Sequence, residues 1–212
     1  MIVVAKQPLL ESFDSKGNGL RVYFDWCGDR FEHRIVGYGL RRFIGFSRVK
    51  SANLLTSVAA LSNDIWPYSP PLQELNESFI MSDDNYGHVV YLIGSTTYGH
   101  WSTCVEAGEC SGDRPPSLVF DVACRARRVP IWLGSSYKIN RGLRTSCDGI
   151  SLDLERNVGK YRLTTLPLTE TIEPIASRID FTPLRVAIVR DFNSSASAPI
   201  TLRWRYRIEM LM

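Results

Sequence analysis

Two short segments joined by one tight turn constrain the fold of this chain more than any other feature. Apolar and polar residues alternate in segments 20–26 and 31–35, and a period of two is the pattern of half-buried strands. A two-residue turn at Gly28 and Asp29 sets the apolar positions of both segments opposite each other, whereas a three-residue loop mismatches their faces. Glycine in the first turn position is typical of a type II′ turn. The sequence therefore predicts a hairpin that pairs Trp26 with Phe31, Phe24 with His33, and Val22 with Ile35.

Most of the remaining chain shows the same alternation between clusters of turn-forming residues. These patterns predict further strands at 88–94, 100–107, 118–125, 130–139, 150–155, 161–166, 184–190 and 202–211, with the last two forming a terminal pair. Segment 52–61 is the one helical candidate, although its Leu-Leu-Thr-Ser-Val run fits a strand equally well. About ten to twelve short strands indicate a mainly β fold, an antiparallel β-sandwich or distorted barrel with at most one or two short helices.

Chain length and the absence of linkers point to one structural unit. The sequence has 212 residues, a length that all-β folds often reach as one domain. The proline-rich stretch 66–71 is expected to be extended, because each proline disfavours the α region for the residue before it. No Gly- or Ser-rich linker divides the chain, so we predict a single β-rich domain over residues 1–212.

Charge and cysteine content rank several functions low. The net charge is +3, too small to favour nucleic acid or an anionic membrane as the partner, and no apolar run approaches the roughly 20 residues of a membrane helix. The five cysteines are odd in number and lack a CxxC pair, which favours neither a zinc site nor a disulfide framework. Without a visible secretory leader, reduced thiols and a cytoplasmic location are expected. The open alternative is a small loop closed by Cys104 and Cys110 in an oxidising compartment.

One pair of acidic residues is a candidate for catalysis. In the predicted hairpin Asp25 lies directly opposite Glu32, with Cβ atoms about 5 Å apart. Two carboxylates at that distance can act as a general acid and a nucleophile. Arginines at positions 21, 30 and 34 share this face, and they favour the alternative of a solvated lattice of ion pairs.

The three histidines supply one candidate base and no metal site. His33 falls on the apolar face of its strand, where a hydrogen-bonded core residue is the usual outcome, but it is the best candidate base if solvent reaches it. His88 and His100 both follow Tyr-Gly, yet the predicted strands place them about 20 Å apart, too far to share a metal ion. No phosphate-loop, dinucleotide-binding, zinc-protease or nucleophile-elbow motif is present, so no cofactor is expected.

Aromatic and basic residues interleave near the end of the chain. In segment 203–208 the arginines occupy one face, and Trp204, Tyr206 and Ile208 occupy the other. A reader of single-stranded nucleic acid needs both kinds of residue on one exposed face, so a buried aromatic row beneath a solvated arginine row is favoured. Further basic residues that can extend a positive patch are Arg125, Arg127 and Arg128.

Aromatic residues in or beside predicted loops are candidates for ligand binding, because such rings can stack on a sugar or on a partner. These candidates are Trp66, Trp101, Trp132 and the nearby Tyr137. The alternative is that the rings fill the edges of the core. Trp101 shares a strand face with Thr103 and Val105, which favours burial for that residue.

Four segments together resemble a set of uncharacterised bacterial proteins. They are 66–73 (Trp-Pro-Tyr-Ser-Pro-Pro-Leu-Gln), 100–102 (His-Trp-Ser), 120–125 (Phe-Asp-Val-Ala-Cys-Arg) and 132–137 (Trp-Leu-Gly-Ser-Ser-Tyr). The resemblance implies a bacterial and intracellular protein and assigns no activity or site residue.

These patterns favour a non-catalytic binding or interaction module, because strands are plentiful while convergent catalytic residue types are missing. The expected ligand is a glycan-like molecule or a protein surface. The first alternative is a hydrolase that uses Asp25 and Glu32 with His33. The second alternative is a structural subunit of a larger assembly.

Overall fold

A computed structural model of the chain describes residues 9–43, 46–58, 66–82, 85–108, 114–168, 177–192 and 197–211. These residues form fifteen β-strands and no helix. In chain order the strands are β1 (Leu9–Phe13), β2 (Gly19–Cys27), β3 (Arg30–Phe43), β4 (Phe46–Ser57), β5 (Glu74–Ser82), β6 (Asn85–Thr96), β7 (Gly99–Gly108), β8 (Ser117–Ala126), β9 (Gly134–Ile139), β10 (Arg144–Cys147), β11 (Ser151–Arg156), β12 (Gly159–Leu166), β13 (Ser177–Thr182), β14 (Arg185–Arg190) and β15 (Ile200–Leu211).

The strands make two antiparallel sheets. The first sheet has seven strands in the order β1-β2-β3-β4-β9-β14-β13, and the second has eight in the order β10-β11-β12-β15-β8-β7-β6-β5. Side chains from the inner faces of both sheets, among them Phe24, Phe120 and Trp204, belong to one buried hydrophobic cluster. The prediction of a mainly β antiparallel fold is therefore confirmed, and of the two architectures expected it is the sandwich that forms.

The hairpin of β2 and β3 has the predicted register. The three expected pairs, Trp26 with Phe31, Phe24 with His33 and Val22 with Ile35, are all present. Gly28 has a φ of +72°, and no described residue other than glycine has a positive φ. A positive φ at the first turn position alone is what a type II′ turn requires, so the turn chemistry and the apolar match select the same register.

The helix expected at 52–61 is wrong over its described part. Residues 52–57 lie in β4, and residues 59–61 lie outside the described ranges. The ladder between β3 and β4 shifts register beside Ile35 and Val36, and Leu54 and Leu55 are both fully buried there. A bulge lets a strand bury two consecutive residues. Two adjacent leucines also fit the pattern of an amphipathic helix, which is why the sequence suggested a helix here.

The expected pairing of the last two strands is also wrong. β14 lies between β9 and β13 in the first sheet, whereas β15 lies between β12 and β8 in the second. The chain therefore passes from one sheet to the other between residues 190 and 200. Alternation looks the same in either sheet, so it does not reveal such a crossing. The described chain also has fifteen strands, more than the ten to twelve expected.

The proline-rich segment 66–73, called the strap below, ties the two sheets together at one end of the sandwich. The Leu72 carbonyl accepts a hydrogen bond from the Phe31 N–H at 2.7 Å, and the Gln73 N–H donates to the Ile93 carbonyl at 2.7 Å. Gly94 lies against the strap, because a Cβ built there would be only 1.8 Å from the Pro71 carbonyl oxygen. A side chain at position 94 would push the strap off the second sheet. Within the described ranges, no helix is long and apolar enough to cross a membrane.

Candidate functional site

The acidic pair of the hairpin lies on the outer face of the first sheet. Asp25 and Glu32 are direct cross-strand partners, as predicted. Arg34 Nε donates to Asp25 Oδ2 at 3.1 Å, and both of these side chains are more than a third exposed. The Arg34 guanidinium also stacks on the Tyr23 ring at 4.2 Å. These contacts match the arginine lattice expected for this face better than an enclosed catalytic cleft.

Arg21 continues the same lattice. Its guanidinium pairs with Glu11 at 2.6 Å and lies over the ring of Tyr38 at 5.1 Å. The Tyr38 hydroxyl is in turn 2.8 Å from the Tyr23 hydroxyl. The two tyrosine rings of this face are therefore already covered by arginines of their own sheet.

His33 is a buried core residue, as the apolar face of its strand predicts. The residue is 7% exposed, and its Nε2 lies 2.7 Å from the Tyr137 hydroxyl oxygen, which lies 2.5 Å from the Tyr206 hydroxyl oxygen. Burial lowers the pKa of His33 to about 4 and raises the pKa of Tyr206 to about 12. All three side chains are therefore neutral at pH 7.

This buried chain of hydrogen bonds connects the two sheets. Tyr206 can donate to Tyr137, and Tyr137 to the unprotonated Nε2 of His33, which satisfies all three side chains. Beside them, Trp204 Nε1 of β15 donates to Ser135 Oγ of β9 at 3.0 Å. Since β15 belongs to the second sheet and β3 and β9 to the first, the chain helps to set how the sheets face each other.

Two of the aromatic candidates lie in the core. Tyr137 is fully buried and Trp101 is 3% exposed, so burial holds for Trp101 as its strand face predicts. Trp66 of the strap is half-buried and packs on Trp101 and Tyr98, with ring centroids 6.4 and 6.1 Å apart.

Trp132 has a different environment, beside the first sheet. It is half-buried and meets the exposed Tyr68 of the strap edge-on, with centroids 5.9 Å apart. The Arg185 guanidinium covers the Tyr68 ring at 4.2 Å and donates to Ser136 Oγ at 3.3 Å. Of the four aromatic candidates, Trp66 and Trp132 are the two that keep part of their surface open to solvent.

The histidines of the two Tyr-Gly-His motifs are far apart. His100 pairs with Ser95, which is seven residues from His88 along β6, a separation of about 23 Å. No three His, Cys, Asp or Glu side chains among the described residues come together to hold a metal ion. The alternative of a small disulfide-closed loop needs both Cys104 and Cys110. Cys110 lies outside the residues that the structure describes.

Strand β15 separates its aromatic and basic residues as predicted. Trp204, Tyr206 and Ile208 are buried. On the outer face Arg203 binds both carboxylate oxygens of Asp121, at 2.7 and 2.5 Å. The terminal strand therefore presents ion-paired arginines to solvent and keeps its aromatic rings in the core.

A groove of about 500 Å³ lies on the outer face of the second sheet. Two adjacent rows of cross-strand neighbours form its floor. The first row runs from Glu74 through Ile93 and Ser102 to Ala123, and the second runs from Ser95 through His100 and Arg125 to Thr201. Because the rows cross five strands, residues more than 120 positions apart in the sequence meet in this groove.

The groove combines an apolar centre with polar surroundings. Ile93 is 46% exposed and lies between Glu74 and Ser102 across the strands. The Ser95 N–H donates to Gln73 Oε1 at 3.0 Å, which leaves the amide N–H groups of Gln73 free to serve as donors at the rim. The lining can therefore contact both a C–H surface and a set of hydroxyl groups.

One end of the groove is positively charged. Arg125, Arg127 and Arg128, called the arginine cluster below, lie at and just beyond the end of β8. Arg127 Nη2 donates to His100 Nε2 at 2.6 Å, and the Arg128 guanidinium lies 5.1 Å from the centre of the Tyr98 ring. Within the part of the chain that the structure describes, no carboxylate forms an ion pair with any of the three.

Sequence reasoning identified the arginine cluster but missed the groove beside it. The signal was the run 89–93, in which five apolar residues follow one another without alternation. In a strand such a run makes both faces apolar, and Tyr91 and Ile93 are indeed exposed on the outer face. Ser95, Ser102 and Gln73 carry no sequence signal, because exposed polar residues are usual on strands and loops.

No protein family model, curated protein or solved structure matches this chain. Its function is therefore inferred from the groove and the arginine cluster.

Proposed function

We propose that this protein is a non-catalytic binding module that holds a glycan-like ligand in the groove of the second sheet. The observation that carries the proposal is the mixed lining, with exposed Ile93 beside hydroxyl, amide and guanidinium groups around about 500 Å³. Sites for small ligands typically have volumes of about 300–1,000 Å³ and place a few convergent polar groups around an apolar surface.

Sugar chemistry fits this lining. A pyranose ring has an apolar C–H face and a rim of hydroxyl groups. Ile93 offers a surface to the C–H face, while Ser102 and Glu74 flank it on the neighbouring strands. A serine hydroxyl both donates and accepts hydrogen bonds and a carboxylate accepts them. A short oligosaccharide would therefore lie across the strands, along the row that these three residues form.

The hydrolase alternative has weaker support. Asp25 pairs with Arg34 on the outer face of the first sheet, while His33 points into the core from the opposite face of β3. A general base must lie within hydrogen-bond reach of the proton that it removes. His33 is enclosed and already bonded to Tyr137, so it cannot serve a substrate bound at the carboxylate pair.

A thermal unfolding screen tests the proposal. The purified protein is heated with neutral and acidic trisaccharides, with nucleotides and with short oligonucleotides. A ligand that binds only the folded state adds about 2.7 kcal/mol at 100 times its Kd, enough to raise the Tm by several degrees. We expect a trisaccharide to produce this rise.

A matched pair of tryptophan substitutions locates the binding. Ser102→Trp fills the groove and should abolish the rise in Tm. Ser146→Trp changes an exposed serine on β10 of the same sheet, outside the groove, and should leave the rise unchanged. A rise that survives Ser102→Trp contradicts the proposed site. No rise with any saccharide contradicts the proposed function and favours a protein partner.

A further inference from the structure

The groove is chemically unequal at its two ends. Glu74 marks one end, and Ala123 lies three strands away in the same row, a distance of about 14 Å. Arg125 follows Ala123 by two residues on the same face of β8, so it lies diagonally opposite Glu74. One end of the groove therefore carries a carboxylate and the other carries a guanidinium.

Arg125 differs from Arg162 and Arg203, two arginines on the outer face of the same sheet, because no described carboxylate pairs with it. Arg162 binds both carboxylate oxygens of Asp153, at 2.6 and 2.9 Å, and Arg203 binds Asp121 in the same way. No described carboxylate does this for Arg125. A guanidinium presents a planar fork of donors that matches a carboxylate, so Arg125 is open to an anionic group of a ligand.

A second guanidinium is held beside the first. His100 is the direct cross-strand partner of Arg125, and its Nε2 accepts the hydrogen bond from Arg127. Arginine has no acceptor atom, so the ring proton of His100 lies on Nδ1. His100 thereby positions Arg127 next to Arg125, and the two positive charges strengthen the field at one end of the groove.

We infer that the ligand of this groove is an acidic glycan whose carboxylate is bound by Arg125. This inference rests on the proposed function and adds the charge of the ligand and its orientation. The carboxylate lies at the arginine cluster, the C–H face of a sugar packs on Ile93, and hydroxyl groups bond Ser102 and Glu74. A short oligosaccharide of uronic acid residues has all three kinds of group.

A single strand of nucleic acid fits the same groove less well. It carries a phosphate at every nucleotide, so a strand that crosses the groove brings phosphate to Glu74 as well as to Arg125. Recognition of single strands also depends on exposed aromatic rings on which bases stack. Trp101, the aromatic residue in the lining, is 3% exposed.

Calorimetric titration with two trisaccharides of the same linkage tests the inference. The probes are α-1,4-linked trigalacturonate and α-1,4-linked galactotriose, which differ in their carboxylates. At low ionic strength we expect trigalacturonate to bind at least tenfold more tightly. Arg125→Gln should remove most of this difference, and Arg125→Lys should restore part of it, because lysine keeps the charge without the planar fork. Arg141→Gln changes an exposed arginine outside the groove and should alter neither affinity.

The remaining outcomes separate this inference from the proposed function. Equal affinity for both trisaccharides overturns the acidic preference and leaves a glycan module. Binding of neither overturns the proposed function and the inference with it. A tenfold preference that persists in Arg125→Gln overturns the assignment of the carboxylate to Arg125. A hexathymidylate that binds as tightly as trigalacturonate, and that also loses affinity in Arg125→Gln, identifies a nucleic-acid site instead.

Discussion

Two histidines in this protein each form one short hydrogen bond to a residue far away in the sequence, and the two bonds lie in opposite surroundings. His33 lies between the sheets with its Nε2 2.7 Å from the Tyr137 hydroxyl, whereas His100 lies on the outer face and accepts from Arg127 at 2.6 Å. His100 is exposed to solvent, whereas His33 is only 7% exposed. The buried bond can contribute only to the stability of the fold, while the exposed bond can orient a charged group toward a ligand.

The strand face on which a histidine lies therefore decides what the histidine can do. From the sequence His33 is the candidate base, and His100 is assigned no metal ion and no other role. In the fold His33 contacts Phe24, Phe120 and Tyr137, and His100 lies in the groove. The two residues should therefore differ in what they contribute to stability and to ligand binding.

The largest expected effect is that of acid on the buried site. Burial lowers the pKa of His33 to about 4, against about 6.5 in the unfolded chain. Below pH 6.5 the unfolded state then binds more protons than the folded state does. The contribution of neutral His33 to the free energy of unfolding is therefore complete above pH 6.5 and is lost as the pH falls to 4. Its size is about 3 kcal/mol, and urea unfolding at a series of pH values between 7 and 4.5 measures it.

One variant isolates the contribution of His33. His33→Gln should flatten the dependence of the free energy of unfolding on pH in this window. Asp29, Asp148 and Asp153 have pKa values lowered below 3.8 by hydrogen bonds, so they lose their protons below this window. An unchanged slope in His33→Gln would show that another group causes the acid sensitivity.

A smaller loss of stability is expected when the buried hydrogen bond is removed without acid. Tyr137→Phe deletes the hydroxyl between His33 and Tyr206 and leaves His33 Nε2 without its partner in the core. A buried polar group left unsatisfied costs about 2 kcal/mol. Tyr23→Phe is the matched control, because its hydroxyl bonds Tyr38 on a half-exposed face where water can replace it. Equal losses in the two variants, measured by urea unfolding at pH 7, would contradict the distinction between the buried and exposed bonds.

The smallest effect is expected at the exposed histidine. His100→Ala removes the acceptor that holds Arg127 and should weaken binding of trigalacturonate about threefold, which is about 0.7 kcal/mol, with no change in Tm. His88→Ala changes the histidine of the other motif, far along β6 from the groove, and should leave the affinity unchanged. If His100→Ala lowers the Tm and leaves the affinity for trigalacturonate unchanged, the bond to Arg127 stabilises the fold. His100 and His33 would then have the same structural role.

The parts of the fold that sequence reasoning predicted are those that depend on neighbours within one hairpin or one strand. The pairing of Phe24 with His33 follows from the turn at Gly28, and the burial of Trp204 and Tyr206 follows from alternation along β15. The helix expected at 52–61 fails where a bulge buries two consecutive leucines. A bulge depends on the partner strand, and alternation within one segment contains no information about it.

Three features of this protein follow from local sequence patterns: its antiparallel strands, the position of the β2–β3 turn, and the face of β15 that carries the arginines. A period of two and a glycine turn act over only a few residues. The order of the strands depends instead on how the whole chain packs. That order placed β14 and β15 in different sheets and brought Ile93, His100, Arg125 and Thr201 to one groove. Packing of the inner faces against each other sets the order of strands, and the outer face that results has a shape and a charge that no single segment specifies.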